Sequence, residues 1–119
     1  MNFKRFQFNL TTTLLPTVLI IGALIAYFLP ESVADGFIYD RNMVTQGELW
    51  RLITGHFFHT NTNHMLLNLT ATLLLWFLHR QHYTVFNNFV ILSITLIVTS
   101  ILIYFFSPNL VWYVGLSGM

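Results

Sequence analysis

Three long stretches of the chain contain no formally charged residue, and apolar side chains dominate each of them. They cover residues 6–30, 52–79 and 81–119. A bilayer core about 30 Å thick is crossed by roughly 20 mostly apolar helical residues, and each stretch contains one such segment. The pattern therefore predicts an all-α, polytopic membrane helical bundle with spans near 11–29, 60–79 and 88–106. A loop over residues 30–59 joins the first two spans.

Composition agrees with a membrane-embedded chain. The 119 residues are 55% hydrophobic and 8% charged, whereas an ordinary soluble domain is about 25% charged. The net charge of +1 leaves no clustered basic face of the kind that nucleic-acid binding needs. There is no cysteine, which excludes disulfides and thiolate metal sites. We expect the lipid bilayer as a partner, no nucleic acid and no cofactor.

Basic residues predict the orientation. Lys4 and Arg5 precede the first span, and Arg80 follows the second. Because Lys and Arg concentrate on the cytoplasmic side, we expect a multi-pass protein of the cell inner membrane with its N-terminus in the cytoplasm. The 30–59 loop is then external. An alternative interpretation is that the first span is a signal peptide, removed after the small residues 32–34.

The external loop is predicted to carry structure of its own, since long irregular loops are uncommon. Within residues 47–58 (GELWRLITGHFF), apolar side chains recur at helical spacing, and Glu48 and Arg51 lie on another side. The apolar positions are Leu49, Trp50, Ile53 and Phe57. This pattern predicts an amphipathic helix lying at the membrane interface.

The second span begins with a ladder of polar residues on one helical face. Its members are Asn61, His64, Asn68 and Thr72, spaced three and four residues apart. Polar side chains at membrane depth are costly unless they face a bundle interior or a wet cavity, so the ladder should point inward. The alternative is that Asn68 and Thr72 only hydrogen-bond neighbouring helices together.

The chain ends in the string Gly115-Leu116-Ser117-Gly118, followed by Met119. A serine between glycines is a weak signal alone, because it usually marks a turn. The predicted topology strengthens it, since His64 and Ser117 would lie on the same membrane face. A hydroxyl nucleophile beside a histidine and Asn68 would suit acyl transfer, in which donors hold the oxyanion.

Three segments together resemble the rhomboid intramembrane serine proteases, and most closely the rhombosortase branch. They are GELWRLITGHFFH, NHMLLNL and YVGLSG, and the resemblance covers roughly residues 14–119. It implies that Ser117 is the nucleophile, and that His64, Asn68 and the Ser117 amide form the oxyanion site. Gly115 and Gly118 would support the nucleophile loop, at the start of a fourth helix. Trp50-Arg51 matches the family's loop motif and is interpreted as structural support.

The same resemblance implies what the protease would cut. Substrates would be single-span membrane proteins cleaved near the outer face of the membrane. For the rhombosortase branch, they would carry a C-terminal Gly-rich signal, an apolar helix and a basic tail.

The chain departs from the family in one respect. Rhomboids have six core helices with a general-base histidine on the last, whereas these residues stop two positions beyond Ser117. We therefore expect the N-terminal part of such a protease, and we expect residues 1–119 alone to cleave nothing. Their polar ladder would be left to recruit another copy of the chain or an unrelated partner. His64 acting as the base is an alternative.

Two other functions stay open. One is a non-catalytic rhomboid-like protein that binds client transmembrane helices. The other is a metal site built from His56, His59 and His64, of which the first two would share a helical face. A metal is not expected, because no carboxylate lies within seven residues of His56 and the zinc-peptidase pattern of two histidines around a glutamate is absent.

Overall fold

The computed structural model describes residues 9–115, and three long helices make up most of this part of the chain. The elements in chain order are α1 (Leu10–Phe28), α2 (Glu31–Ala34), β1 (Tyr39–Asp40), α3 (Arg41–Thr45), α4 (Arg51–Thr54), a 3-10 turn (Gly55–Phe57), α5 (Thr62–His79), a second 3-10 turn (Arg80–His82), α6 (Val85–Phe106) and β2 (Trp112–Tyr113). The expected start of a fourth helix lies outside the described residues. So do Lys4, Arg5, Ser117 and Gly118.

Each long helix begins at a polar side chain that caps it. Asn9 accepts a hydrogen bond from the Thr11 amide, Asn61 from the His64 amide, and Thr84 from the Asn87 amide. Such caps satisfy amide groups that have no partner inside the helix. The caps place the start of each helix within a few residues of the position predicted from the apolar pattern.

Two of the three helices are long and apolar enough to cross a membrane, namely Leu10–Phe28 and Val85–Phe106. Large apolar side chains on both are half exposed, including Ile21 and Ile101, which is the surface that lipid would cover. This is a membrane protein. The helix predicted at 60–79 is present as Thr62–His79, but its polar first turns lower its hydropathy. Its membrane crossing stays a prediction.

The long helices alternate in direction. Near the start of α1, the Thr12 carbonyl accepts a hydrogen bond from Trp76 Nε1 at 2.6 Å, and the Thr11 carbonyl accepts one from Asn88 Nδ2. At the other end of α1, Tyr27 Oη lies 2.7 Å from Thr62 Oγ1. The start of α1, the end of α5 and the start of α6 therefore share one end of the bundle. The first turn of α5 lies at the opposite end.

The loop between α1 and α5 is tied to the C-terminal segment by an antiparallel pair of two-residue strands. Tyr39 pairs with Tyr113, and Asp40 with Trp112. The all-α prediction did not include this pair. A small apolar core lies beneath it, formed by Ala26, Ala34, Phe58 and Val114.

The amphipathic helix predicted over residues 47–58 is wrong in extent. Gly47 has a φ of +104°, which ends α3 in a turn, and only Arg51–Thr54 is α-helical before the 3-10 turn. Phe58 is extended. The physical reason is Arg51, which is 7% exposed and turns inward to bind Glu48 and the carbonyls of Asp35 and Ile38. Residues 56 and 59 therefore do not share a helical face.

Candidate active site

His64 and Asn68 lie on the first turns of α5, where the ladder pattern placed them. Asn61 caps the helix and fixes the His64 backbone through a 2.8 Å hydrogen bond, and His64 Nδ1 lies 3.2 Å from Thr60 Oγ1. Asn68 Nδ2 is buried and has no hydrogen-bond partner within residues 9–115. A buried amide nitrogen without a partner is available to donate a hydrogen bond to a bound ligand.

Gly115 packs directly against both of these side chains. A β-carbon at this position would lie 2.7 Å from His64 Cε1, 2.8 Å from His64 Nε2 and 3.4 Å from Asn68 Nδ2. Its φ of +107° is in the region that favours glycine. The close approach of the backbone to the imidazole therefore requires a residue without a side chain. The structure brings together three of the five residues that sequence reasoning selected.

Both backbone polar groups of Gly115 are hydrogen-bonded. Its N–H donates to the Gly55 carbonyl at 3.2 Å, and its carbonyl accepts from the Tyr113 hydroxyl at 2.7 Å. Gly55 in turn packs against the Tyr39 backbone, since a β-carbon there would lie 2.9 Å from Tyr39 N. The loop between α1 and α5 therefore fixes the segment that leads to residues 116–119.

The polar ladder borders a groove between α1, α5 and α6. The groove has a volume of about 310 Å³, and both Asn68 and Thr72 line it together with apolar residues such as Leu19 and Leu92. The inward direction predicted for these two residues agrees with this position. Thr72 also donates to the Asn68 carbonyl at 2.8 Å, so part of its polarity is satisfied inside its own helix.

His59 is a second histidine at the edge of the site. Its ring centroid lies 5.1 Å from that of His64, nearly perpendicular to it, and both of its ring nitrogens are buried without a hydrogen-bond partner in the described part of the chain. Burial lowers the pKa of His59, and the neighbouring His64 lowers it further, against a smaller raising effect of the Phe57 backbone. Burial and the neighbouring His64 therefore both disfavour the charged imidazolium form of His59.

The three-histidine metal site is not assembled among residues 9–115. His59 and His64 are neighbours, but His56 faces Ser100, with His56 Nε2 3.1 Å from Ser100 Oγ. Within those residues, no three His, Asp or Glu side chains are grouped so as to hold a metal ion.

His56 is the residue near the site that sequence reasoning did not interpret correctly. It is 1% exposed, and its ring meets that of Tyr113 edge to face with centroids 5.7 Å apart. Burial lowers its pKa, and the Gly115 backbone opposes that effect. Its partner Ser100 lies on α6 and is also buried. No local signal in the sequence joins residues 56, 100 and 115.

The family comparison covers the whole of this site. The family model described as the Rhomboid domain matches residues 46–119, which is more than half of the chain. No curated protein matches the chain, and no solved structure does. The matched range begins before Trp50-Arg51 and includes His64, Asn68 and the Gly115 segment. The chain therefore belongs to the rhomboid family, whose members are generally serine intramembrane proteases that act on membrane proteins in the bilayer.

Proposed function

We propose that this protein is an intramembrane serine endopeptidase of the rhombosortase type. Ser117 is the nucleophile, and Asn68, His64 and the Ser117 amide are the oxyanion donors. The observation that carries the proposal is the packing of Gly115 against His64 and Asn68. Two residues of chain span at most about 7 Å, which limits the distance between the Cα atoms of Gly115 and the proposed nucleophile.

The buried amide of Asn68 supports its role. A polar nitrogen that only joined two helices would be expected to have its partner in place. Asn68 Nδ2 instead lacks one among the described residues, beside the Gly115 backbone. Donors that are fixed before the reaction stabilise developing negative charge without reorganisation.

The chemistry follows from these positions. The Ser117 hydroxyl oxygen attacks the scissile carbonyl, its proton passes to a general base, and the negative charge on the carbonyl oxygen is held by the donors. The base then protonates the departing amine, which leaves an acyl-enzyme that water hydrolyses. The resemblance assigns the base to a histidine of the family's last core helix.

A fluorophosphonate probe tests the nucleophile. The protein expressed from its complete gene, in its membrane, should be labelled, and Ser117→Ala should abolish labelling while a chelator leaves it unchanged. Residues 1–119 expressed alone should not be labelled, because an unassisted serine is a poor nucleophile and a general base is typically worth about 100- to 10,000-fold in rate. Labelling that persists in Ser117→Ala would refute the assignment. Labelling of residues 1–119 would make His64 the base.

A second measurement separates oxyanion donation from helix packing at Asn68. Loss of one oxyanion donor costs about 100- to 1000-fold in turnover, so Asn68→Ala should lower turnover by that factor per folded molecule. Thr72→Val, one turn along the same groove, is the matched control and should change turnover little. Equal turnover in Asn68→Ala and the wild type would return Asn68 to a packing role.

The substrate class has its own test. A single-span reporter with a C-terminal Gly-rich signal, an apolar helix and a basic tail should be cut near the outer face of the membrane. The same reporter without the Gly-rich signal is the control. Equal cleavage of both would keep the serine protease and reject the rhombosortase specificity. If labelling fails throughout while client helices still bind, the protein is the non-catalytic alternative.

A further inference from the structure

A glycine, the residue type with the most conformational freedom, precedes the proposed nucleophile by two positions. Gly115 has a φ of +107° and no β-carbon to restrict its backbone torsions. Its torsion ψ, about the bond from Cα to the carbonyl carbon, sets the direction in which the chain continues to Ser117. A nucleophile that is oriented before the reaction therefore requires contacts that fix this torsion.

Two hydrogen bonds restrain the backbone of Gly115, one on each side of its Cα atom. The N–H group donates to the Gly55 carbonyl at 3.2 Å, which holds the peptide group before Gly115. The carbonyl oxygen accepts from the Tyr113 hydroxyl at 2.7 Å and belongs to the peptide group that follows. Because a peptide group is planar, fixing this oxygen also fixes the direction of the next peptide nitrogen. The Tyr113 hydroxyl therefore restrains ψ of Gly115.

Tyr113 is itself fixed by contacts of its backbone and of its ring. Its backbone belongs to β2 and pairs with Tyr39 of β1. The next residue, Val114, is 5% exposed and belongs to the small apolar core. The Tyr113 ring meets that of His56 edge to face, with centroids 5.7 Å apart. These contacts fix the ring, so that its hydroxyl can hold the Gly115 carbonyl in one orientation.

We propose that Tyr113 is a positioning residue. Its hydroxyl fixes ψ of Gly115 and thereby the direction of the chain from Gly115 toward Ser117. The proposal rests on the proposed function. Gly115 packs against His64 and Asn68, and a rotation about ψ would move the chain that follows while leaving that contact in place. A role in packing alone would depend on the Tyr113 ring, whereas the positioning role depends on its hydroxyl as a donor.

Tyr113→Phe removes the hydroxyl and keeps the ring. The rate of fluorophosphonate labelling per folded molecule is measured in the protein expressed from its complete gene, in its membrane. The folded fraction is measured separately by thermal unfolding in detergent. Tyr39→Phe is the matched control, because Tyr39 lies opposite Tyr113 in the strand pair and its hydroxyl accepts from Arg41 Nη1 at 3.3 Å.

One hydrogen bond of ordinary net strength changes the population of a conformation by up to about tenfold. We expect Tyr113→Phe to label about 10-fold more slowly than the wild type, with kcat for the single-span reporter lowered by a similar factor and KM changed little. Tyr39→Phe should lose stability but label at the wild-type rate per folded molecule. p-Aminophenylalanine in place of Tyr113 restores a donor at the same position and should return the rate to within about twofold.

Three results would overturn the positioning role. The first is wild-type labelling by folded Tyr113→Phe, and the second is an equal loss of labelling in Tyr39→Phe. The third is a failure of p-aminophenylalanine to restore the rate, which would make the donor irrelevant. A raised KM with unchanged kcat in Tyr113→Phe would instead make Tyr113 a substrate contact and would also reject the role.

The two proposals fail in different ways. If Ser117→Ala still labels, the nucleophile assignment is wrong, and the positioning role is rejected with it. If Ser117→Ala abolishes labelling while folded Tyr113→Phe keeps the wild-type rate, the serine protease stands and only the positioning role is rejected. Should Tyr113→Phe not fold while p-aminophenylalanine restores folding, the hydroxyl is a folding contact, and the positioning role is again rejected.

Discussion

Gly115 and Gly47 form a natural pair for testing close contact at the residue scale. Both have positive φ, +107° and +104° respectively, but a β-carbon at Gly115 would meet His64 and Asn68, whereas one at Gly47 would meet nothing within 4 Å. Backbone strain for a non-glycine residue is about 1–2 kcal/mol at either site. Since the strain is similar, a difference in labelling rate between Gly115→Ala and Gly47→Ala reports the effect of the contact with the candidate site.

We expect Gly115→Ala to abolish fluorophosphonate labelling, because the methyl group would displace the imidazole or the peptide. Gly47→Ala should retain labelling per folded molecule while losing a similar amount of stability to backbone strain. Labelling rates and thermal midpoints of the two variants check this. Equal labelling by both would show that the Gly115 contact does not matter to the site.

Acid should destabilise the protein through its buried histidines. Burial lowers the pKa values of His56 and His59 in the folded state, so the unfolded chain binds more protons between each lowered pKa and the ordinary value of about 6.5. Stability is therefore fully present above about pH 6.5 and decreases as the pH falls through that window.

The measurement is the thermal midpoint in detergent between pH 8 and pH 5. His59→Asn should make the acid-side decrease shallower, since one of the two groups is removed. The exposed His79→Asn is the control and should keep the wild-type slope. A wild-type midpoint that rises on acidification would contradict the sign of both shifts.

At the scale of elements, structure that depends on neighbouring residues was predictable from the sequence, and structure that depends on distant residues was not. The long helices were predictable because apolar runs are local features of the sequence. The caps Asn9, Asn61 and Thr84, which the structure shows, are equally local. The conformation of residues 47–58 was not predictable, because Arg51 donates to the carbonyls of Asp35 and Ile38. The spacing of residues within the segment does not indicate these contacts. The pairing of β1 with β2 joins residues more than 70 positions apart and is equally invisible.

The candidate site divides in the same way. The positions of His64 and Asn68 on one face of α5 were predictable from helical spacing. The alternating topology predicted only that His64 and Ser117 share a membrane face, and the contact of Gly115 with His64 and Asn68 is a finding of the structure. The burial of His56 beside Ser100 was not predictable, because these two residues come close only in the folded chain. Its short-range pattern with His59 instead suggested a helical face that does not form.

Arg51 should stabilise the conformation of the loop between α1 and α5. Its guanidinium binds Glu48 and two backbone carbonyls while nearly excluded from solvent. Lysine has a single charged nitrogen and cannot reproduce the planar arrangement of N–H donors on the guanidinium. We expect Arg51→Lys to lower the free energy of unfolding by about 1–3 kcal/mol, and Arg51→Ala by about 3–5 kcal/mol, which is the usual cost of leaving a buried partner uncompensated.

Thermal or denaturant unfolding in detergent checks these values. Arg41→Lys is a useful control, since Arg41 contacts the carbonyls of Tyr104 and Ser107 but is only half-buried. Its substitution should cost less than that of Arg51. A cost at Arg51 no greater than at Arg41 would show that the loop is held by its apolar core instead.

At the scale of the whole molecule, the bundle requires the candidate site to lie at one end. The hydrogen bonds from Trp76 and Asn88 to the first turn of α1 place the turn between α5 and α6 at the end opposite His64. If α1, α5 and α6 all cross the membrane, residues 40 and 84 lie on opposite sides. The bundle alone does not say which side is the cytoplasm.

The basic residues predict that orientation. Lys4, Arg5 and Arg80 would all lie in the cytoplasm, so a reporter fused at residue 84 should be cytoplasmic and one fused at residue 40 external. Moving charge tests the cause: adding two lysines beside residue 40 and replacing Arg80 with glutamine should weaken or invert the pattern. Reporters on the same side at both positions would mean that Thr62–His79 does not cross the membrane. His64 and Gly115 would still meet, but the substrate would have to approach them from within one leaflet instead of from the outer face.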